Sequence, residues 1–126
     1  MRHMVFMLLV LLAFGTPPVY AESEPTTLET CRSTPSSMAY KQCIGELLEM
    51  REQHLAWALA KAREDFYSDE AKAAFDDAQN AWAGFQANEC AAAFARIAPG
   101  SDASSAETRC RIVLINERVD HLEKEY

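Results

Sequence analysis

Apolar residues recur at steps of three and four along most of this chain, and that spacing limits its fold more than any other feature. One stripe is Ile44, Leu47, Leu48, Leu55, Ala58, Leu59, Ala62 and Phe66, interrupted by Arg51. A second is Phe75, Ala78, Trp82 and Phe85, continuing through Glu89, Ala92 and Ala93. A third is Ile112, Ile115, Val119 and Leu122. Such steps gather side chains on one face of an α-helix, whereas a half-buried strand would alternate. No alternating β-branched run and no fixed-period repeat occurs beyond residue 21. The spacing predicts an all-α fold with three helices, from about Pro35 to Phe66, from about Asp69 to Ile97, and from about Ser104 to Lys124.

The punctuation agrees. Thr34 can cap the first helix, with Pro35 at its first position, where proline's missing N–H costs nothing. Ser68 can cap the second, with Asp69 and Glu70 near the positive end of the helix dipole. Pro99 and Gly100 stop it, and Ser104 with Glu107 has capping-box spacing for the third. Connections this short make neighbouring helices antiparallel. The expected architecture is a three-helix antiparallel (up-down-up) bundle.

The first residues form a separate unit. Arg2 precedes the apolar run Val5 to Phe14, then Gly15, Pro17 and Pro18 break it, and Val19 and Ala21 supply small residues before Glu22. Basic start, short apolar core and small-residue exit make a secretory signal peptide, with cleavage after Ala21. The apolar run is about half of the roughly 20 residues a bilayer span needs, so no stable membrane insertion is expected. Glu29 lies two positions before Cys31, which does not suit a lipoprotein signal. The expected organisation is a cleaved leader over 1–21, a flexible polar segment over 22–34 and one helical domain over 35–126. The expected location is the periplasm or the medium.

Four cysteines, Cys31, Cys43, Cys90 and Cys110, follow the leader. An even number in a small exported domain reads as two disulfides. Zinc sites favour close pairs such as C-x2-C, which are absent here, so no metal and no cofactor is expected. In an up-down-up bundle Cys43, Cys90 and Cys110 fall at one end with Cys31 tethered nearby, so all three pairings are sterically open. Cys31–Cys43 and Cys90–Cys110 close the shortest loops.

The chain carries a formal net charge of −7, and losing Arg2 with the leader makes the remainder more acidic. Such a balance argues against nucleic acid and anionic membranes and favours encounter with a cationic partner. The acidic residues gather at the turn between the first two long helices: Glu64, Asp65, Asp69, Glu70, Asp76 and Asp77. Each of them can also simply solvate a helix end. Trp57 lies off the main stripe and is either a cover for the bundle edge or an exposed contact residue. Glu117 and His121 are four apart on one face but have no third ligand. No serine has a partnered histidine, no carboxylate pair stands apart from surface charge, and Gly45, Gly84 and Gly100 are isolated. The residues point away from an enzyme.

Within the second stripe, Gln79, Trp82, Phe85 and Cys90 follow the order Gln, Trp three on, an aromatic three further, and Cys five after that. The last helix carries Cys110, Leu114, Arg118 and Leu122, and an early cysteine pair is present at Cys31 and Cys43. This arrangement, spanning roughly residues 31–122, resembles the LprI-like lysozyme-inhibitor family of small exported helical domains. Gln86 and Ala87 replace the Arg-Asp frequent in the family, Leu55-Ala56 and Leu59 stand where it usually has Leu-Asn and a later Tyr, and Arg111 and Ile115 also depart from its usual residues. The resemblance implies a binding module whose partner is a cationic protein such as lysozyme, inhibited by occlusion. Gln79 is expected to hydrogen-bond a neighbouring helix, Trp82 and Phe85 to lie in the core, and Arg118 to pair with Glu89 or Asp120. The expected contact residues are Trp57, Glu64, Asp65, Asp69 and Glu70. The alternative is a cell-envelope accessory that binds another envelope protein through apolar contacts near Trp57. Oligomeric state stays open.

Overall fold

The computed structural model describes residues 27–126; the expected leader and its cleavage site lie outside them. Four helices follow in order: α1 (Leu28–Arg32), α2 (Ser37–Arg63), α3 (Asp69–Ile97) and α4 (Ala103–Glu125). The described residues contain no strand.

The expectation of three helices is corrected by α1, a short helix inside the segment read as flexible. Thr27 and Thr30 cap it reciprocally: the Thr27 hydroxyl accepts from the Thr30 amide at 3.2 Å, and the Thr27 amide donates to the Thr30 hydroxyl at 2.8 Å. Leu28 and Cys31, three apart on one face, turn toward α2. Cys31 is fully buried with Ile44, Leu47 and Ile112.

The start of α2 also shifts. Ser36, not Thr34, is the cap, its hydroxyl accepting from the Ala39 amide at 3.1 Å. The Thr34 hydroxyl is used elsewhere, donating to the Cys31 carbonyl at 2.7 Å. Ser68 caps α3 through the Ala71 amide. At α4 the cap residue is Asp102, which makes no side-chain capping bond. The Ala98–Pro99 peptide in the preceding loop is cis.

Helix α4 is the element around which the others are arranged. It packs along both α2 and α3, while the backbones of α2 and α3 seldom approach each other and meet through side chains such as Arg63 and Asp76. Cross-helix pairs give the directions. Tyr40 meets Arg109 near the start of α2, and His54 meets Glu123 further along, so α2 and α4 run parallel. Cys90 meets Cys110 and Gln79 meets Arg118, so α3 runs antiparallel to α4. Ile112, Ile115, Val119 and Leu122 are all buried on the inner face of α4. They meet Ile44 and Leu47 at one end and Leu55, Ala58, Ala62 and Phe75 toward the other.

The inner face of α3 is rotated from the expected one. Phe75 and Cys90 are buried, and Gln79, Trp82, Gln86, Ala93 and Ile97 are half-buried between and beyond them. Ala78, Phe85, Glu89 and Ala92 face solvent instead. Phe85, expected in the core, is 53% exposed. Alanine occupies both sides of this helix and cannot set its phase. The large ring of Phe75 and the covalent tie at Cys90 do.

Two disulfides fasten the end opposite the α2–α3 turn. Cys31 is bonded to Cys43, which joins α1 to α2, and Cys90 to Cys110, which joins α3 to α4. The Cα–Cα distances are 5.5 and 5.4 Å, ordinary for this linkage.

Candidate functional site

The expected contact residues collect at the end of the molecule away from the disulfides. Glu64 is the C-terminal cap of α2, Asp65 follows it in the turn, and Asp69 and Glu70 open α3. All four are exposed. Phe66, Phe75 and Tyr126 hold this turn against the end of α4, with ring centroids 4.9 Å apart for Phe66–Phe75 and 5.3 Å for Phe66–Tyr126. Tilted and edge-on aromatic pairs at such distances add to the area they bury. The acidic turn therefore sits on a packed aromatic base.

Part of the acidic charge is neutralised within the fold. Arg63 Nε donates to Asp76 Oδ1 at 2.9 Å, and Arg63 Nη2 to Asp76 Oδ2 at 3.0 Å. This two-pronged geometry suits a planar guanidinium. The hydrogen bonds from Arg63 hold the Asp76 carboxyl below the ordinary carboxylate range, and those same bonds raise the Arg63 guanidinium. A depressed carboxyl stabilises the fold above its unfolded-state value and loses that contribution as pH falls through its folded value. Asp76→Asn is accordingly expected to destabilise the protein near neutral pH. The deficit should shrink as pH falls through the folded Asp76 value, read by thermal melts across the acid range. Asp65, Glu64, Asp69 and Glu70 form no ion pair among the described residues.

Trp57 is 55% exposed. It stands beside a cavity of about 270 Å³ whose lining also includes Ala58, Lys61, Ala62, Leu122, Glu123 and Tyr126. The Lys61 ammonium lies 5.0 Å from the Trp57 ring centroid, within cation–π range. His54 Nε2 is 2.8 Å from Glu123 Oε1. A carboxylate can only accept, so the imidazole donates. Charge analysis of the sequence missed Glu123 and Tyr126 as neighbours of Trp57. Their distance along the chain hides them, and the parallel run of α2 and α4 was the one signal that could have revealed them.

The motif residues have structural partners. Arg118 Nε donates to Gln79 Oε1 at 3.1 Å, joining α4 to α3. The expected pairing of Arg118 with Glu89 or Asp120 is not found. Glu89 lies at the disulfide end beside Cys110. Asp120, two residues along the same helix, faces another way and accepts from Lys124 at 2.6 Å. Trp82 packs against the core as a half-buried ring. His121 makes an edge-on contact with Tyr126, at 6.4 Å between centroids. No cluster of three or more His, Cys, Asp or Glu among the described residues is arranged to hold a metal.

The family model described as lysozyme inhibitor LprI matches residues 30–122, which includes the whole of α2 and α3 and nearly all of α4. The chain belongs to the LprI lysozyme-inhibitor family. No curated protein and no solved structure matches it. The LprI match covers both disulfides and the Gln79–Arg118 bond. Within this LprI domain those residues are engaged in holding helices together. No described helix is long and apolar enough to cross a membrane.

Proposed function

We propose that this LprI-family protein is exported, with its leader cut after Ala21, and inhibits lysozyme or a similarly cationic protein by covering it rather than by chemistry. The observation that carries this reading is the cluster of exposed carboxylates at Glu64, Asp65, Asp69 and Glu70 above packed aromatic rings, in a chain of the lysozyme-inhibitor family. Surface carboxylates speed encounter with a positive partner and disfavour negative ones. Two disulfides suit an oxidising compartment outside the cytoplasm. The periplasm and the medium both qualify. No metal or cofactor enters this mechanism.

The test is a cell-wall lysis assay with c-type lysozyme and the oxidised protein. Stoichiometric inhibition that weakens with salt is the expected result, because exposed charges are screened over about 8 Å at physiological ionic strength. Replacing Glu64, Asp65, Asp69 and Glu70 together by Gln should weaken inhibition about ten-fold or more, since exposed pairs each contribute roughly 0.2–1 kcal/mol. Absence of inhibition at micromolar excess would remove lysozyme as the partner.

The exposed Trp57 favours a second reading, a cell-envelope accessory that binds another envelope protein through apolar contact. Binding of that kind would be nearly insensitive to salt.

A further inference from the structure

The Trp57 cavity combines features that suit one kind of guest. Ala58, Ala62 and Leu122 give it an apolar floor, Trp57 and Tyr126 supply aromatic rings, and Glu123, whose Oε1 already accepts from His54, sets a carboxylate among them. An apolar floor takes a methylene stem, aromatic faces attract a cation, and a carboxylate takes the charged head. A cation already occupies part of this arrangement, because Lys61 extends over Trp57. Lys61 forms no ion pair among the described residues, so a stronger guest can displace it. Trp57, Lys61 and Glu64 fall at i, i+4 and i+7 on α2, on one line of the helix. The cavity therefore opens beside the acidic turn and not on a separate face.

We propose that this cavity receives a single arginine side chain of the cationic partner, stacked on Trp57 in place of Lys61 and paired with Glu123. The proposal rests on the cationic-partner reading above and deepens it by assigning a specific anchor. Arginine is preferred to lysine because its planar guanidinium both stacks on an indole and pairs with a carboxylate through parallel N–H bonds. Isolated side chains bind weakly, so an affinity in the millimolar range is expected for a model compound.

The experiment needs no lysozyme. N-acetylarginine methylamide is titrated into the oxidised protein while the two indole N–H resonances are followed by NMR, with N-acetylcitrulline methylamide as the neutral counterpart. The Trp57 resonance should shift saturably with the arginine compound and not with citrulline, while that of the half-buried Trp82 stays in place. Lys61→Met should tighten binding about three-fold by removing the resident cation, and Glu123→Gln should weaken it by a similar factor, in line with exposed charge contacts. Both positions are exposed, so these variants keep the fold. No Trp57 response, an equal response to citrulline, or saturation by N-acetylglucosamine oligomers in place of arginine would overturn the proposal. Inhibition of lysozyme that persists in a variant lacking the Trp57 response would overturn the anchor while leaving the acidic end intact. A Trp57 response without lysozyme inhibition would retain the anchor and exclude that partner.

Discussion

Reduction of both disulfides is expected to unfold most of the protein at 37 °C. Each bond closes a short loop, with sequence separations of 12 and 20. In the chain-entropy account, loops of this size stabilise by about 3 kcal/mol each. Domains of this size have about 5–15 kcal/mol in total, so losing both removes a large share. The structure gives a second reason. Helix α1 has only five residues, far fewer than the ~12 an isolated helix needs to persist in water. Its tie to α2 through Cys31–Cys43 is what holds Leu28 and Cys31 against Ile44 and Ile112. Circular dichroism with and without reductant checks the expectation, with Cys31→Ser/Cys43→Ser and Cys90→Ser/Cys110→Ser measured separately. Each pair should lower the denaturant midpoint, and their combination should leave little cooperative transition. Full helicity and an unchanged midpoint after verified reduction would contradict it.

The second large effect is expected from Ile115→Ala. Ile115 is 1% exposed on α4, in a cluster with Leu55, Ala58, Phe75 and Val119 drawn from three helices. Removing its outer carbons opens a cavity facing both α2 and α3, at a cost of about 2–5 kcal/mol. Phe85→Ala makes the informative comparison. Both positions belong to the apolar stripes of the sequence, and the phenylalanine is the larger side chain. Yet Phe85 is 53% exposed, and its truncation should cost less than about 1 kcal/mol, as for most substitutions of exposed residues. Chemical denaturation of the two variants decides the matter, and equal losses would mean that α3 is rotated from the orientation described here.

That comparison shows how the sequence can be read and where reading stops. The stripes of α2 and α4 were legible because branched residues at Ile44, Leu47, Leu55, Ile112, Ile115, Val119 and Leu122 mark one face and charged residues mark the other. The stripe of α3 was not, because α3 lies mainly against α4 and buries few of its residues fully. Alanines cover both its sides, and Gln79 and Gln86 take inward positions that hydrophobicity assigns to Ala78 and Phe85. A glutamine can sit inward at position 79 because Arg118 meets it there. Helix α1 escaped notice for a different reason. Its start is marked by a Thr–Thr pair, not by the usual Ser/Thr with Glu, and its length leaves no room for periodicity. At the candidate site, the acidic turn was plain from composition, and Trp57 was already set apart from the stripe. Its neighbours Glu123 and Tyr126 required the register of α2 along α4, which an up-down-up arrangement by itself does not fix.

The central position of α4 bears on how the molecule comes into being. A ribosome releases the chain from its amino end, so α2 and α3 emerge before the helix that separates them. Without α4 they share the contacts near their turn, such as Arg63 with Asp76 and Phe75 beside Ala62, while most of their apolar faces stay uncovered. Cys90 has no native partner until residue 110 is present. Completion is therefore a late event, in which the last helix slots between two earlier ones and its cysteine closes the assembly. A chain cut short before α4 would lack Ile112, Ile115, Val119 and Leu122, the residues that fill the core clusters, and could not close the Cys90–Cys110 bond.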